Sequence, residues 1–163
     1  MDNLYFDELE MEEKFEKAIL DFYKNDSRHE KNYWYKTFGN RNLKFYSSQT
    51  EANSEDKAPQ FPCAIITLQS EPNTTWSNST QIEQISRVNF TIELYTKKVG
   101  NIQNKKLCSY LSEIVTLGLR QLSGNISISK NAPIPNFDTS IYRRIVRGVF
   151  NYNNETRTIY KGD

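Results

Sequence analysis

The residues able to do chemistry are few in this chain. The single histidine, His29, stands in a charged stretch, so any serine or cysteine nucleophile needing an imidazole base would depend on it. The segment Glu55–Lys57 matches the Glu-x-Lys pattern of a metal-dependent nuclease, but its neighbours are polar and predict a loop, not a core strand. The six glycines form no phosphate-binding loop. The sequence therefore predicts a protein without enzymatic activity.

Metal and cofactor sites are not indicated either. There is no Cys-x-x-Cys, no pair of histidines and no EF-hand pattern. The two cysteines, Cys63 and Cys108, are too few for a disulfide-stapled scaffold, so we expect free thiols in a reducing compartment. No apolar run approaches the ~18 residues of a membrane span, and no signal-peptide pattern is visible. We expect no cofactor, no metal and no membrane contact.

Basic residues near the end of the chain are the strongest candidates for contact with a partner. Residues 141–161 carry five basic side chains and one acid, a local net charge of +4. Arg143 and Arg147 share one face of a strand because they are four residues apart, whereas Arg144 lies on the other. Arg143, Arg147 and Tyr142 leave open a nucleic-acid-binding module, with arginines on phosphates and tyrosine on bases. Ion pairing on a charged strand is the simpler interpretation.

The two ends of the chain have opposite charge. Residues 2–16 contain seven acids and one lysine, a local net charge of −6, although the whole chain has a net charge of only +1. Complementary surfaces on one molecule allow copies to associate head to tail, and such contacts close into a ring when the rotation permits.

Two amphipathic helices are predicted to support these residues. From Leu9 to Tyr23, apolar residues recur at three- and four-residue spacing and form one stripe. A second stripe of the same kind runs from Gln103 to Leu122. The helix–strand order, with several consecutive strands between and after the helices, is typical of an α+β domain.

Strict alternation from Ile85 to Thr96 predicts a strand with one buried and one polar face, the kind of face that can line a lumen or meet a partner. Further strands are predicted at Leu43–Tyr46, Pro62–Leu68, Asn125–Lys130, Ile141–Tyr152 and Glu155–Tyr160. Residues 47–60, 69–81 and 131–136 are predicted as loops. We expect a single α+β domain over residues 1–163, with a mainly antiparallel sheet of about five to six strands flanked by the two helices.

The chain resembles the tail-terminator, or neck (tail-completion), proteins of long-tailed bacteriophages. The resemblance covers about residues 9–160 and rests on the order of its parts more than on any one of them. After the N-terminal helix come a proline-led apolar strand, the alternating strand, a helix led by two lysines, and a segment of Pro-Asn-x-Asp-x-Ser-Ile-Tyr-Arg followed by a basic hairpin. These parts are Phe61–Ile66, Val88–Tyr95, Lys105–Leu107 onward and Pro135–Arg143.

The resemblance implies structural work without catalysis. Proteins of this kind form a ring, here expected to be a hexamer, at the head-proximal end of the tail tube. The ring ends tube growth and joins the tail to the head connector or head-closure protein. The implied partners are thus further copies of the chain, the tail tube protein and the connector, with DNA passing through the lumen unbound and the virion as location after assembly in the bacterial cytoplasm. Candidate subunit or tail contacts are Asp138, Tyr142, Arg143, Arg144 and Arg147.

Overall fold

The α+β prediction is confirmed. The computed structural model describes residues 7–25, 36–38, 41–46, 60–78, 81–135, 140–154 and 156–160. In chain order the elements are α1 (Glu8–Asn25), β1 (Lys44–Tyr46), β2 (Cys63–Asn78), β3 (Gln81–Lys97), α2 (Asn104–Leu122), β4 (Ser127–Ile134), β5 (Ile141–Asn153) and β6 (Thr158–Ile159). Neither of these helices has the length and apolar character needed to cross a membrane.

The strands form one sheet of six in the order β1-β2-β3-β5-β4, with β6 beside the far end of β5. Only β1 and β2 run parallel; the other pairs are antiparallel. The last long strand of the chain, β5, therefore lies between β3 and β4 rather than at an edge.

One face of the sheet is packed against both helices. The alternating residues predicted to face inward, Val88, Phe90, Ile92 and Leu94, are buried. Their neighbours on β2 and the apolar stripes of α1 and α2 join the same core cluster. Burying each such side chain contributes about 1.5–3 kcal/mol, so this face supplies most of the stability of the fold.

Two glycines permit close approach within this core. A Cβ at Gly118 of α2 would lie 3.0 Å from the Cα of Ile19, so the absence of a side chain lets α1 and α2 pack closely. A Cβ at Gly148 of β5 would lie 2.3 Å from both the Phe90 ring and the Ser127 carbonyl oxygen. Because real Cβ atoms do not approach so closely, the Phe90 ring can occupy this place only over a glycine.

The opposite face, called here the polar face, is formed by the alternate residues of the central strands. The apolar residues of both helices belong to the core on the other side. Cross-strand register arranges the polar face in rows, such as Thr67, Thr91, Arg147 and Lys130, followed by Gln69, Asn89, Val149 and Ser127. The separation into a buried and a polar face, predicted for one strand, thus continues across its neighbours.

The prediction of a loop at residues 69–81 is wrong. Strand β2 continues to Asn78 and pairs with β3 from Gln81 onward, which makes a long hairpin. Pro72 fits in this strand because of where its nitrogen points. The Lys44 amide donates to the Pro62 carbonyl at 3.1 Å and the Ser70 amide to Glu8 Oε1 at 3.4 Å, so even-numbered residues of β2 turn their backbone groups away from β3. A proline at such a position removes no ladder hydrogen bond.

The predicted loop at residues 131–136 is also wrong in its first part, because β4 runs to Ile134. Pro133 lies opposite Arg144, and the backbone groups of Arg144 point toward β3. The nitrogen of Pro133 therefore points outward from the sheet, where no ladder hydrogen bond is needed. Both lateral edges therefore carry an outward proline, which obstructs the addition of a further strand. The other predicted polar loop, at residues 47–60, lies outside the described residues except for Gln60.

Candidate interaction surface

The structure divides the predicted contact residues between the two faces of the sheet. Arg143 and Arg147 lie together on the polar face, as their spacing predicts. Tyr142 and Arg144 lie on the helix side, where the Tyr142 side chain packs against the core. Asp138 lies outside the described residues. The candidate set is therefore not one surface.

Arg143 is neutralised within the chain. Its guanidinium forms an ion pair and hydrogen bond with Glu93, and its Cζ lies 5.6 Å from the centre of the Tyr95 ring. The Tyr95 hydroxyl donates to the other Glu93 oxygen at 3.2 Å. Glu93 is flanked in the register by Ile65 and Ile145, both buried. The sequence placed Glu93 on the polar face, but its partner depends on a register between residues 50 positions apart.

Arg147 has a different environment, next to another cation. Lys130 of β4 is its register partner, so the two basic side chains start side by side on the polar face, and both are exposed. Strands β4 and β5 contain no acidic residue. Among the described residues, no carboxylate lies within ion-pair distance of either side chain. Lys130 and Arg147 are called here the basic pair, and neither forms an ion pair with a described residue. Because like charges directly opposite destabilise a sheet, their proximity also costs stability.

Arg144 is engaged at the same edge. Its guanidinium binds the Asn131 side-chain oxygen and approaches the Asn131 carbonyl oxygen at 3.4 Å. That carbonyl faces outward from β4, so Arg144 occupies an acceptor that an added strand would need. Its position points to protection of the edge more than to contact with a partner.

Part of the charge at the two ends of the chain is compensated internally. Arg157 Nη2 lies 2.6 Å from Glu10 Oε2, and Lys14 Nζ lies 3.5 Å from Glu10 Oε1. The hydrogen bond from Arg157 lowers the pKa of the Glu10 carboxyl. Opposite charges at the ends of the sequence thus meet within one molecule, which the head-to-tail hypothesis did not consider.

The rest of the acidic charge on α1 forms no ion pair with a described residue, although the nearby Lys44 lowers the pKa of the Glu16 carboxyl in part. Glu8, Glu12 and Glu16, called here the acidic flank, follow one another at four-residue intervals along one side of the helix. Burial, and then neighbouring acids, raise the pKa of both the Glu12 and the Glu16 carboxyl. Glu8 accepts from the outer-edge amide of Ser70, which locates the flank beside β2. The sequence predicted the charge, but not which acids remain uncompensated.

Catalytic chemistry finds little support in the described part of the chain. No group of three or more histidine, cysteine, aspartate or glutamate residues there could hold a metal ion. Both cysteines are free and buried, and burial raises the pKa of each thiol to about 12, so they are poor nucleophiles. His29 and Glu55–Lys57 lie outside the described residues.

Two adjoining clefts of about 340 and 290 Å³ lie between α1 and the end of α2 and share Lys14 and Leu122. The second cleft also includes Tyr152 and Arg157, but the Arg157 guanidinium is already bound by Glu10. The first cleft is lined by Asp21 together with Lys14 and Lys17. The exposed polar face and the acidic flank remain the better candidates for a functional surface.

Comparison with models of known protein families and with curated proteins finds no match to this chain.

Proposed function

We propose that this chain is a non-catalytic structural subunit of a long-tailed bacteriophage. It assembles into a ring at the head-proximal end of the tail tube, ends growth of the tube and joins the tail to the head connector. The class of protein is thus an assembly protein, and the particular role is that of a tail terminator or a closely related neck protein.

The observation that carries the proposal is the two-faced sheet. Helices pack on one face. From Thr67 and Arg147 onward the other face presents rows of hydroxyl, amide and basic side chains, several of them exposed, whereas Ile65 and Ile145 at its other end are buried. A sheet with one packed and one polar face is suited to line a water-filled lumen or to meet a polar partner. The element order over residues 9–160 also agrees with the order on which the resemblance rests.

The nucleic-acid alternative is less well supported. It needed Arg143, Arg147 and Tyr142 on one surface, and Tyr142 lies on the helix side of β5. Arg143 is already paired with Glu93. Only Arg147, with Lys130, remains free to contact phosphate among these residues, and two cations make a small electrostatic contribution to nucleic-acid binding.

The experiment that tests the function is negative-stain microscopy of the concentrated protein, with its mass measured by light scattering. We expect closed rings of uniform diameter and a mass that is a fixed multiple of the 19.1 kDa chain. The same preparation, added to growing tail tubes of the phage that encodes it, is expected to stop their elongation and to appear as a cap at one tube end.

Titration with duplex DNA at several salt concentrations is the companion assay. A monomer that leaves tube growth unchanged and binds duplex with an affinity falling steeply with salt would replace the terminator proposal by the nucleic-acid alternative. Arg147→Glu should then abolish binding, whereas Arg120→Glu, which changes an exposed arginine of α2, should not.

A further inference from the structure

Two surfaces of this molecule carry charges of opposite sign that form no ion pair among the described residues. The acidic flank of α1 lies beside the outer edge of β2, as the contact between Glu8 and the Ser70 amide shows. The basic pair, Lys130 and Arg147, lies at the β4 edge. In the sheet order, β2 lies two strand spacings from β5 and three from β4, a separation of about 10–14 Å at ~4.8 Å per spacing. This exceeds the Debye length of about 8 Å at physiological salt, so the two surfaces do not neutralise each other within one molecule.

We infer that the acidic flank of one copy docks on the basic pair of a second copy, and that this contact is the subunit interface of the assembly. The inference rests on the proposed function and names the surfaces through which the copies meet. Because the two surfaces differ, the contact is heterologous: every copy offers one of each, and the chain of contacts closes into a ring or continues as a filament.

The edges of the sheet favour a side-chain contact over strand addition. Pro72 and Pro133 face outward on the two edges, and Glu8 and Arg144 occupy neighbouring backbone groups. Pairing of strands between copies would have to break these contacts and accept an unpaired carbonyl at each proline. Carboxylates and cations at the two edges can meet without doing so.

An apolar side chain accompanies the acids. Leu9 is 66% exposed and is the one large apolar side chain found exposed in the described part of the chain. It lies three and seven residues before Glu12 and Glu16, on the same side of α1. An exposed leucine among charges is typical of a contact that buries an apolar centre within a charged rim. Burial raises the pKa of the Glu12 and Glu16 carboxyls, and the nearby Lys44 offsets only part of the rise for Glu16, so both acids remain poorly neutralised in the single molecule.

The test reverses the charges separately and then combines the variants. The first variant is Glu12→Lys/Glu16→Lys, and the second is Lys130→Glu/Arg147→Glu. Each retains one working surface, so each alone is expected to be monomeric by sedimentation velocity, with self-association at least tenfold weaker than in the wild type. Mixed in equal amounts, they should associate again, because the flank of each variant then meets a pair of opposite charge on the other.

Matched controls separate this interface from a general effect of charge. Glu113→Lys and Arg120→Glu make the same changes at exposed positions of α2, and both should assemble like the wild type. Circular dichroism of all variants checks the fold. Wild-type assembly should weaken as salt rises, because the charges lie at the surface.

Each contrary result has a distinct meaning. Reversed variants that assemble like the wild type would overturn the interface and leave the terminator function intact. The same holds if the wild type assembles but the mixed variants do not associate. A wild type that stays monomeric up to about 1 mM, the range of the weakest specific contacts, would also overturn the interface. Failure of the protein to cap tail tubes would count against the proposed function itself.

Discussion

The two faces of the sheet are made by alternate residues of the same strands, yet they differ in what each position requires. On the helix side, Phe90 packs edge-on to Phe15 at 5.4 Å between ring centres and over the bare backbone of Gly148. On the polar side, its chain neighbour Thr91 lies in a row of polar residues between Thr67 and Arg147. One face is determined by shape, and the other by charge and hydrogen bonding.

The largest difference in stability between the two faces is expected when two adjacent residues, one from each face, are truncated to alanine. Phe90→Ala removes a fully buried ring and leaves a cavity, so we expect it to lower the free energy of unfolding by about 4 kcal/mol. Thr91→Ala, one residue along, should cost about 1 kcal/mol or less. Urea unfolding of both variants measures the difference. Equal losses would mean that the polar face is packed as tightly as the core.

Adding one methyl group should show how closely the core is fitted. Gly148→Ala places a Cβ against the Phe90 ring and the Ser127 carbonyl, so we expect a loss of about 3 kcal/mol. Gly124→Ala is the matched control, since nothing lies within 4 Å of its Cβ. It should leave the urea midpoint nearly unchanged. A neutral Gly148→Ala would show that Phe90 can move aside.

On the polar face, the largest effect is expected at the half-buried ion pair. Glu93→Gln leaves Arg143 without its carboxylate in a site where its side chain is 22% exposed, and we expect a loss of about 2 kcal/mol. Glu10→Gln breaks the more exposed pair with Arg157, and solvent screening should make its effect small. Thermal melts compare the two variants, and the ranking would be contradicted if Glu10→Gln were the more damaging.

The smallest expected effect has the opposite sign. Because burial and neighbouring acids raise the pKa of Glu12 and Glu16 in the folded chain, ionisation of these carboxyls costs stability at neutral pH. Below the concentration at which the chain assembles, Glu12→Gln/Glu16→Gln should therefore raise the melting temperature slightly at pH 7. As the pH falls through the raised pKa values, the wild-type carboxyls take up protons and the advantage of the variant should shrink. An advantage that grows in acid would contradict this assignment.

Sequence patterns predicted the parts of the fold that local periodicity determines. Alternation placed Val88, Phe90, Ile92 and Leu94 correctly on the buried face. It failed where pairing with a neighbour overrides composition. Residues 69–78 are polar and contain Pro72, yet they continue β2 because β3 supplies partners in register. Pro133 likewise led to the prediction of a loop where β4 continues to Ile134.

The candidate surface was predictable only in outline. A spacing of four residues was enough to place Arg143 and Arg147 on one face. Which arginine keeps its charge free depends on Glu93, 50 positions away, and the pairing of Glu10 with Arg157 spans 147 positions. Such contacts are set by strand register and helix docking, which no local pattern contains.

The place of β5 in the sheet has a consequence for the synthesis of the protein. Residues 141–153 are synthesised after β3 and β4, yet they fill the gap between them. Until they emerge, the β2–β3 hairpin has one open side and β4 has no partner, so the nascent chain holds an unfinished sheet up to that point. The step that completes the core is thus also the step that brings Arg143 and Arg147 into place, and a chain interrupted before β5 would display neither.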